Sequence, residues 1–224
     1  MKHEYVVANS FSPVTKKNLS LKLPDQGYRK SFTLAKRAID LAFAVLALPI
    51  LLVLAVVLYL ANPHFNPGSV FFRQVRMGWD GKAFTMWKFR TMTDNGTSVR
   101  DANAPLEEHR ITPLGRLLRR SKLDELPNIL NIFTGDMSLV GPRPDAFEHA
   151  NEYLIRVPHY RKRFTVRPGI TGLAQVRGGY ADNHRAVERK ARYDIFYIEN
   201  ASFRLEMHVI ASTFAVVFSG IGQR

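Results

Sequence analysis

SKLDELPNILNIFTGDMSLVGPRP, residues Ser121 to Pro144, is the stretch on which the reading of the chain turns. Leu126, Ile129, Leu130 and Phe133 fall at helical spacing and share one face. Pro127 limits where that helix begins. A proline is tolerated in a first turn, where its missing N–H has no partner to lose, and is costly deeper in. A start with Asp124 as N-cap follows, and Gly135 as a left-handed C-cap ends the helix. The GDMSLVGPRP beyond it is not regular for long. Asp124 and Glu125 then stand at the positive end of a helix dipole, which favours their ionised forms and suits a nucleophile or a metal ligand. The same acids also read as plain helix caps, and the cations around them, Arg116, Arg119, Arg120, Lys122 and Arg143, as a salt-bridged surface.

Upstream, Leu41 to Leu60 reads LAFAVLALPILLVLAVVLYL, uncharged and about the length of a bilayer span. Basic residues flank it on both sides, Lys36 and Arg37 before it, Arg73, Arg76, Lys82, Lys88 and Arg90 after. The positive-inside tendency puts both flanks on the cytoplasmic side, which a segment that enters, bends at Pro49 and returns satisfies. A full crossing and a buried core helix are the alternatives, the latter disfavoured by the lack of a polar face. Residues 1–30 are polar, basic and aperiodic, and read as a mobile tail.

After a turn at Asn62 to Gly68, Ser69 to Val75 and Ala83 to Phe89 read as the strands of a hairpin turning at Asp80 and Gly81. Its interleaved Phe, Trp, Arg and Lys residues suit a nucleic-acid platform or a lipid-headgroup interface. Thr93 to Leu106 reads as a polar loop. Thr112 and Pro113 open a short basic helix ending near Arg120. Downstream lie a helix within Asp145 to Arg163 broken near Pro158, and a Gly-rich basic loop, RPGITGLAQVRGG at Arg167 to Gly179, able to cradle phosphate. Two amphipathic helices, Ala186 to Ile198 and Leu205 to Phe218, close the chain.

The chemistry is narrowed by what is missing. There is no cysteine, and the seven histidines form no HxxxH pair; no Walker motif or GxSxG elbow occurs. Acids and arginines remain. A net charge of +13, from 32 Lys and Arg against 19 Asp and Glu, calls for an anionic partner.

Taken together and in order, KRAID at Lys36 to Asp40, the apolar segment, GSVFFRQVRMGWDGKAFTMWKFRTM at Gly68 to Met92, the Ser121 to Pro144 stretch, RPGITGLAQVRGG and YDIFYIENAS at Tyr193 to Ser202 resemble the bacterial sugar transferase family. These are the monotopic phosphoglycosyl transferases that start glycan assembly on a polyprenol phosphate. The resemblance implies an α+β, mainly helical fold. A re-entrant membrane helix over residues 31–66, broken at Pro49, would precede a small cytosolic catalytic domain, residues 67–224, with a β-hairpin and interfacial amphipathic helices. It implies transfer of sugar 1-phosphate from a UDP-sugar to undecaprenyl phosphate with release of UMP, in exopolysaccharide, capsule or related synthesis at the bacterial inner membrane. Asp124 would be the nucleophile of a covalent phosphosugar intermediate. Glu125 would assist, both acids would serve a magnesium ion, and Arg119, Arg143 and Arg167 would bind substrate phosphates. Lys36 and Arg37 would lie at the membrane interface. Membrane lipids and the two substrates are the partners implied, without nucleic acid; a homo-oligomer is left open. In the family the membrane helix often breaks at a Ser-Pro pair near mid-segment, whereas here Leu48-Pro49 lies nearer its start. The reading from a different class is a membrane-tethered module binding nucleic acid or anionic lipid.

Overall fold

The computed structural model describes residues 30–93, 107–178 and 184–219; all but the last residue of the basic tail and all but the first residue of the polar loop lie outside them. Among the described residues the architecture is mostly helical, with two small sheets.

Helix α1, Lys30–Phe65, is 36 residues long and apolar enough to cross a bilayer. Asp40, Ala44, Ala47, Leu51, Leu58, Asn62 and Asn66 are buried at spacings of three, four or seven, forming one stripe that reaches just past its end. The outward residues are apolar too; Leu46 is 75% exposed, and Val53, Val57 and Leu60 are also exposed. Helical geometry continues through Pro49, so the expected break is not an interruption of the helix. Both ends of α1 are tied down. At the start, the Arg37 guanidinium donates to the Ile132 carbonyl at 2.7 Å and the Asp40 carboxylate accepts from Ser138 Oγ at 2.8 Å and Leu139 N–H at 3.0 Å. At the far end, Asn62 donates to the Gly68 carbonyl at 2.7 Å and Asn66 to the Arg90 carbonyl at 2.9 Å.

Strands β1, Phe71–Met77, and β2, Ala83–Phe89, form the expected antiparallel hairpin, turning where Asp80 and Gly81 both take positive φ. Its aromatics do not share one fate: Phe89 is buried and stacks on Phe71 at 5.3 Å, Phe72, Phe84 and Trp87 are half-buried, and Trp79 at the turn is exposed. Helix α2, Pro113–Arg120, starts as read from sequence, with Thr112 Oγ1 accepting from Gly115 N–H at 3.0 Å and Pro113 in the first turn.

Helix α3 is shorter than its sequence signal. It runs Asn128–Thr134, and Asp124 and Glu125 precede it in a separate 3-10 turn, Leu123–Glu125. Asp124 is therefore not its N-cap; Pro127 holds that position and the 3-10 turn uses up the residues before it. Gly135 closes the helix at φ +87, as expected.

The Gly-rich stretch is not a loop. Strand β4, Gly169–Thr171, pairs in parallel with β3, Ser138–Val140, joined through α4, Phe147–Arg156, and helix α5, Leu173–Gly178, follows at once. Gly169 and Gly172 serve backbone contact within the protein. A Cβ on Gly169 would lie 2.1 Å from the Gly141 nitrogen. Gly169→Ala is expected to lower stability by about 1–3 kcal/mol through this overlap. A depressed thermal unfolding midpoint checks it, and an unchanged midpoint would mean the strand pair yields freely.

Helices α6, His184–Glu199, and α7, Phe203–Ser219, complete the fold. Phe203 of α7 meets Phe32 of α1 at 4.9 Å, and Lys36 pairs with the buried Glu206 at 2.6 Å. The main core joins α1 to Met86, Phe89, Leu118, Ile129, Ile132, Met137 and Val140.

Candidate active site

The chain leaves α2 through Lys122, which takes the left-handed conformation at φ +58 and turns the following acids back toward the hairpin. Asp124 is only 8% exposed. Glu125 is gripped from two sides. Arg143 Nη1 donates to Oε2 at 2.9 Å and Nη2 donates to Oε1 in a bidentate fork, while Lys88 Nζ donates to Oε1 at 3.0 Å. Arg119 lies close enough to act on Asp124 electrostatically, its Nε donating to Thr91 Oγ1 at 2.9 Å. Arg76 completes the cationic wall, donating to the Pro144 carbonyl at 3.0 Å; burial and the neighbouring Arg143 push its pKa down to about 10.

The two acids differ electrically, contrary to the common dipole stabilisation expected of them. Burial raises the Asp124 pKa, with Lys88 opposing and Glu125 adding to the shift. Burial would raise Glu125 as well, but Arg143 and Lys88 hold it well below the ordinary carboxylate range. Side-chain neighbours separate the pair, since α3 does not begin until Asn128. Asp124 Oδ1 is buried without a hydrogen-bond partner, whereas both Glu125 oxygens are engaged.

That asymmetry bears on magnesium. A cation held by one carboxylate together with substrate phosphates fits Asp124. Glu125 does not fit as a ligand while Arg143 and Lys88 occupy it. Among the described residues no group of three His, Asp or Glu side chains could hold a metal by itself.

Behind the acids, Arg163 joins several parts of the fold. Its Nε donates to Asp194 Oδ2 at 2.7 Å, Nη1 to Asp145 Oδ2 at 2.6 Å and Nη2 to the Arg143 carbonyl at 2.8 Å. Lys190 adds a bond to Asp145 at 2.5 Å.

Of the residues singled out from sequence, Asp124, Glu125, Arg119 and Arg143 come together. Arg167 does not join them. Its Nε donates to the Gly135 carbonyl at 2.8 Å, at the opposite end of α3, and its guanidinium lies over Trp79 at 5.0 Å. There it lines a cavity of about 190 Å³ with Lys36, Arg37 and Asp40. Lys36 and Arg37 dock α1 onto the protein through Glu206 and Ile132 rather than projecting outward. Pro49 lies on the exposed face of α1. Lys88 and Arg76 were not singled out for the site, though a signal existed: Phe84, Met86 and Lys88 alternate along β2, so a lysine shares the face of two apolar residues.

The pattern that defines bacterial sugar transferases matches residues 31–220. A UDP-glucose:undecaprenyl-phosphate glucose-1-phosphate transferase of Xanthomonas campestris pv. campestris is 42% identical over 81% of this chain and 38% of its own length. A UDP-N-acetylgalactosamine-undecaprenyl-phosphate N-acetylgalactosaminephosphotransferase of Aeromonas hydrophila is 35% identical over 86% of this chain and 46% of its own. An uncharacterized sugar transferase of Bacillus subtilis, EpsL, is 40% identical over 84% of this chain and 90% of its own. The chain thus spans under half the length of the first two and nearly all of the third. With the match extending from the start of α1 to the end of α7, the chain belongs to the bacterial sugar transferase family.

Proposed function

We propose that this protein transfers sugar 1-phosphate from a UDP-sugar to undecaprenyl phosphate, releasing UMP, in the first membrane step of exopolysaccharide or related glycan synthesis. The observation that carries the reading is the division of labour in the acid pair. Glu125 is committed to two cations, and Asp124 beside it keeps a buried oxygen with no partner.

In this reading an Asp124 oxygen attacks the sugar-linked phosphorus of the donor. The bond from that phosphorus to the bridging oxygen breaks, and UMP departs with the electron pair. A phosphate oxygen of undecaprenyl phosphate then attacks the same phosphorus, forming the diphosphate-linked sugar and restoring the Asp124 carboxylate. Glu125 fixes Arg143 and Lys88, and with Arg119 they offset the repulsion between a carboxylate and a diphosphate. Asp124 is the residue that would hold a magnesium ion, which would supply further positive charge against the donor diphosphate. The donor's sugar is not set by family membership, since the relatives above are named for glucose and for N-acetylgalactosamine.

The acceptor requires a membrane, and the outward face of α1 supports association with one, as do the exposed Phe203, Met207 and Phe214 of α7. Both ends of α1 are held to the same catalytic body. A helix so held cannot place its ends on opposite sides of a bilayer unless that body crosses too, which favours the monotopic arrangement; the basic residues on both flanks of the apolar segment favour the cytoplasmic face for the active site.

The test is UMP release by detergent-solubilised protein from a panel of UDP-sugars, with undecaprenyl phosphate and magnesium omitted in turn. Sustained release that needs both supports the proposal; none with any donor overturns it.

A pH profile tests the roles of the acids. Asp124 must be ionised to attack, and its pKa is raised, so the acid limb of kcat/KM is expected above the ordinary aspartate value of about 4. The Glu125 charge contributes to that rise, so Glu125→Gln is expected to move the limb to lower pH while lowering the rate. A limb that moves upward would contradict the assignment.

A further inference from the structure

Lys88 lies on β2, while the acids it faces lie just before α3, so their separation depends on how β2 and α3 are joined. Besides the core shared by Met86, Phe89, Ile129 and Ile132, one polar side chain bridges the two. Asn131 of α3 is 2% exposed; its Nδ2 donates to the Thr85 carbonyl at 2.7 Å and its Oδ1 accepts from Trp87 N–H at 3.2 Å. Thr85 and Trp87 are alternate residues of β2, so their backbone groups point to the same edge, away from β1. A carboxamide carries a donor nitrogen and an acceptor oxygen at about the spacing of a peptide group, so Asn131 serves the free edge of β2 as a strand would. Lys88 follows Trp87 directly, and its ammonium reaches Glu125, six residues before Asn131 in the same segment.

We infer that Asn131 is a positioning residue for the proposed transfer, setting the distance of Lys88 from Asp124 and Glu125 through its paired bonds to Thr85 and Trp87. It touches no substrate; it acts through Lys88. The chemistry explains why an amide stands there. Aspartate of the same shape would set a carboxylate oxygen against the Thr85 carbonyl, leucine would leave both backbone groups unpaired, and glutamine would push the strand away by one methylene.

The inference rests on the transferase reading and concerns only how its site is held. The experiment is a double-mutant cycle with Asn131→Asp and Lys88→Met, assayed by UMP release from the UDP-sugar of the panel that the parent protein turns over, with undecaprenyl phosphate and magnesium. Labelling of Lys88 by an amine-reactive reagent, read by mass spectrometry, runs in parallel and needs no turnover. Asn131→Asp is expected to lower kcat about 10- to 100-fold with KM changed less than threefold, the scale of a site displaced by about 1 Å. In the Lys88→Met background the same change is expected to cost less than threefold. Lys88 is expected to label faster in Asn131→Asp than in the parent. Equal losses in both backgrounds, or unchanged Lys88 labelling, would overturn the inference. Should Asn131→Asp not fold, Asn131→Ala enters the same cycle with the same expectations. Absence of UMP release from the parent protein with every donor would count against the transferase reading, and the labelling would still decide whether Asn131 holds Lys88.

Discussion

Asp124→Asn is expected to abolish sugar-phosphate transfer, lowering kcat by about 10³-fold or more, because an amide cannot form the ester-like bond to phosphorus that the proposed route requires. The substitution discriminates well because little else depends on that carboxylate. Its Oδ1 has no protein partner, and its surroundings favour the neutral over the ionised form. A neutral isostere therefore leaves stability unchanged or slightly raised. Thermal unfolding beside the UMP assay separates the two effects. Loss of turnover at an unchanged midpoint is the expected result, and substantial turnover would remove Asp124 from the role of nucleophile. Glu125→Gln behaves differently, since it also weakens the grip of Arg143 and Lys88 and affects both readouts.

Arg163→Met carries the largest expected cost in stability. Arg163 and Asp194 are both about 1% exposed at the side chain, and the guanidinium also serves Asp145 and the Arg143 carbonyl. Methionine fills much of the volume but leaves Asp194 a buried charge without its partner, a change worth about 3–5 kcal/mol. For a chain of this size that is a midpoint lower by roughly 6–20 °C. The pH dependence identifies the cause. Burial already raises the Asp194 pKa despite Arg163, and loss of Arg163 raises it further. A carboxyl raised in the folded state favours folding when protonated, and that contribution is lost as pH rises through the folded pKa. The deficit of Arg163→Met is therefore expected to be larger at pH 8 than at pH 5. Equal deficits at both would show that lost packing, not a stranded charge, sets the cost. Asp145 has the opposite sign. Burial opposes its ionisation, but Lys190 and Arg163 hold its pKa far down, so its contribution is present above about pH 4 and lost on acidification.

What was legible in the sequence follows from which signals are local. The cap at Thr112 and Pro113, the left-handed stop at Gly135 and the Asp80-Gly81 turn depend on neighbouring residues, and each appears where the sequence places it. The start of α3 depended on a choice between α and 3-10 geometry ahead of Pro127, which side-chain periodicity does not decide. Gly169 and Gly172 signalled close approach correctly, but the approaching partner is the Gly141 backbone, far away in sequence. The same limit applies to the site. Asp124, Glu125, Arg119 and Arg143 lie within one segment and were grouped from it. Lys88 and Arg76 arrive from the hairpin, and Arg167 is drawn to the far end of α3 by the Gly135 carbonyl, a contact that spacing does not reveal. The network of Arg163, Asp145, Asp194 and Lys190 joins three separate segments and had no local signature.

In the proposed route Asp124 bonds to the donor phosphorus. The most direct test is mass spectrometry of the protein after incubation with a UDP-sugar and magnesium without undecaprenyl phosphate. A sugar-phosphate adduct is expected on the peptide containing Asp124, with matching UMP release, that disappears when the acceptor is added and never forms in Asp124→Asn. UMP release that occurs only with acceptor present, with no adduct trapped on any peptide, would contradict that route and favour direct transfer between the two substrates.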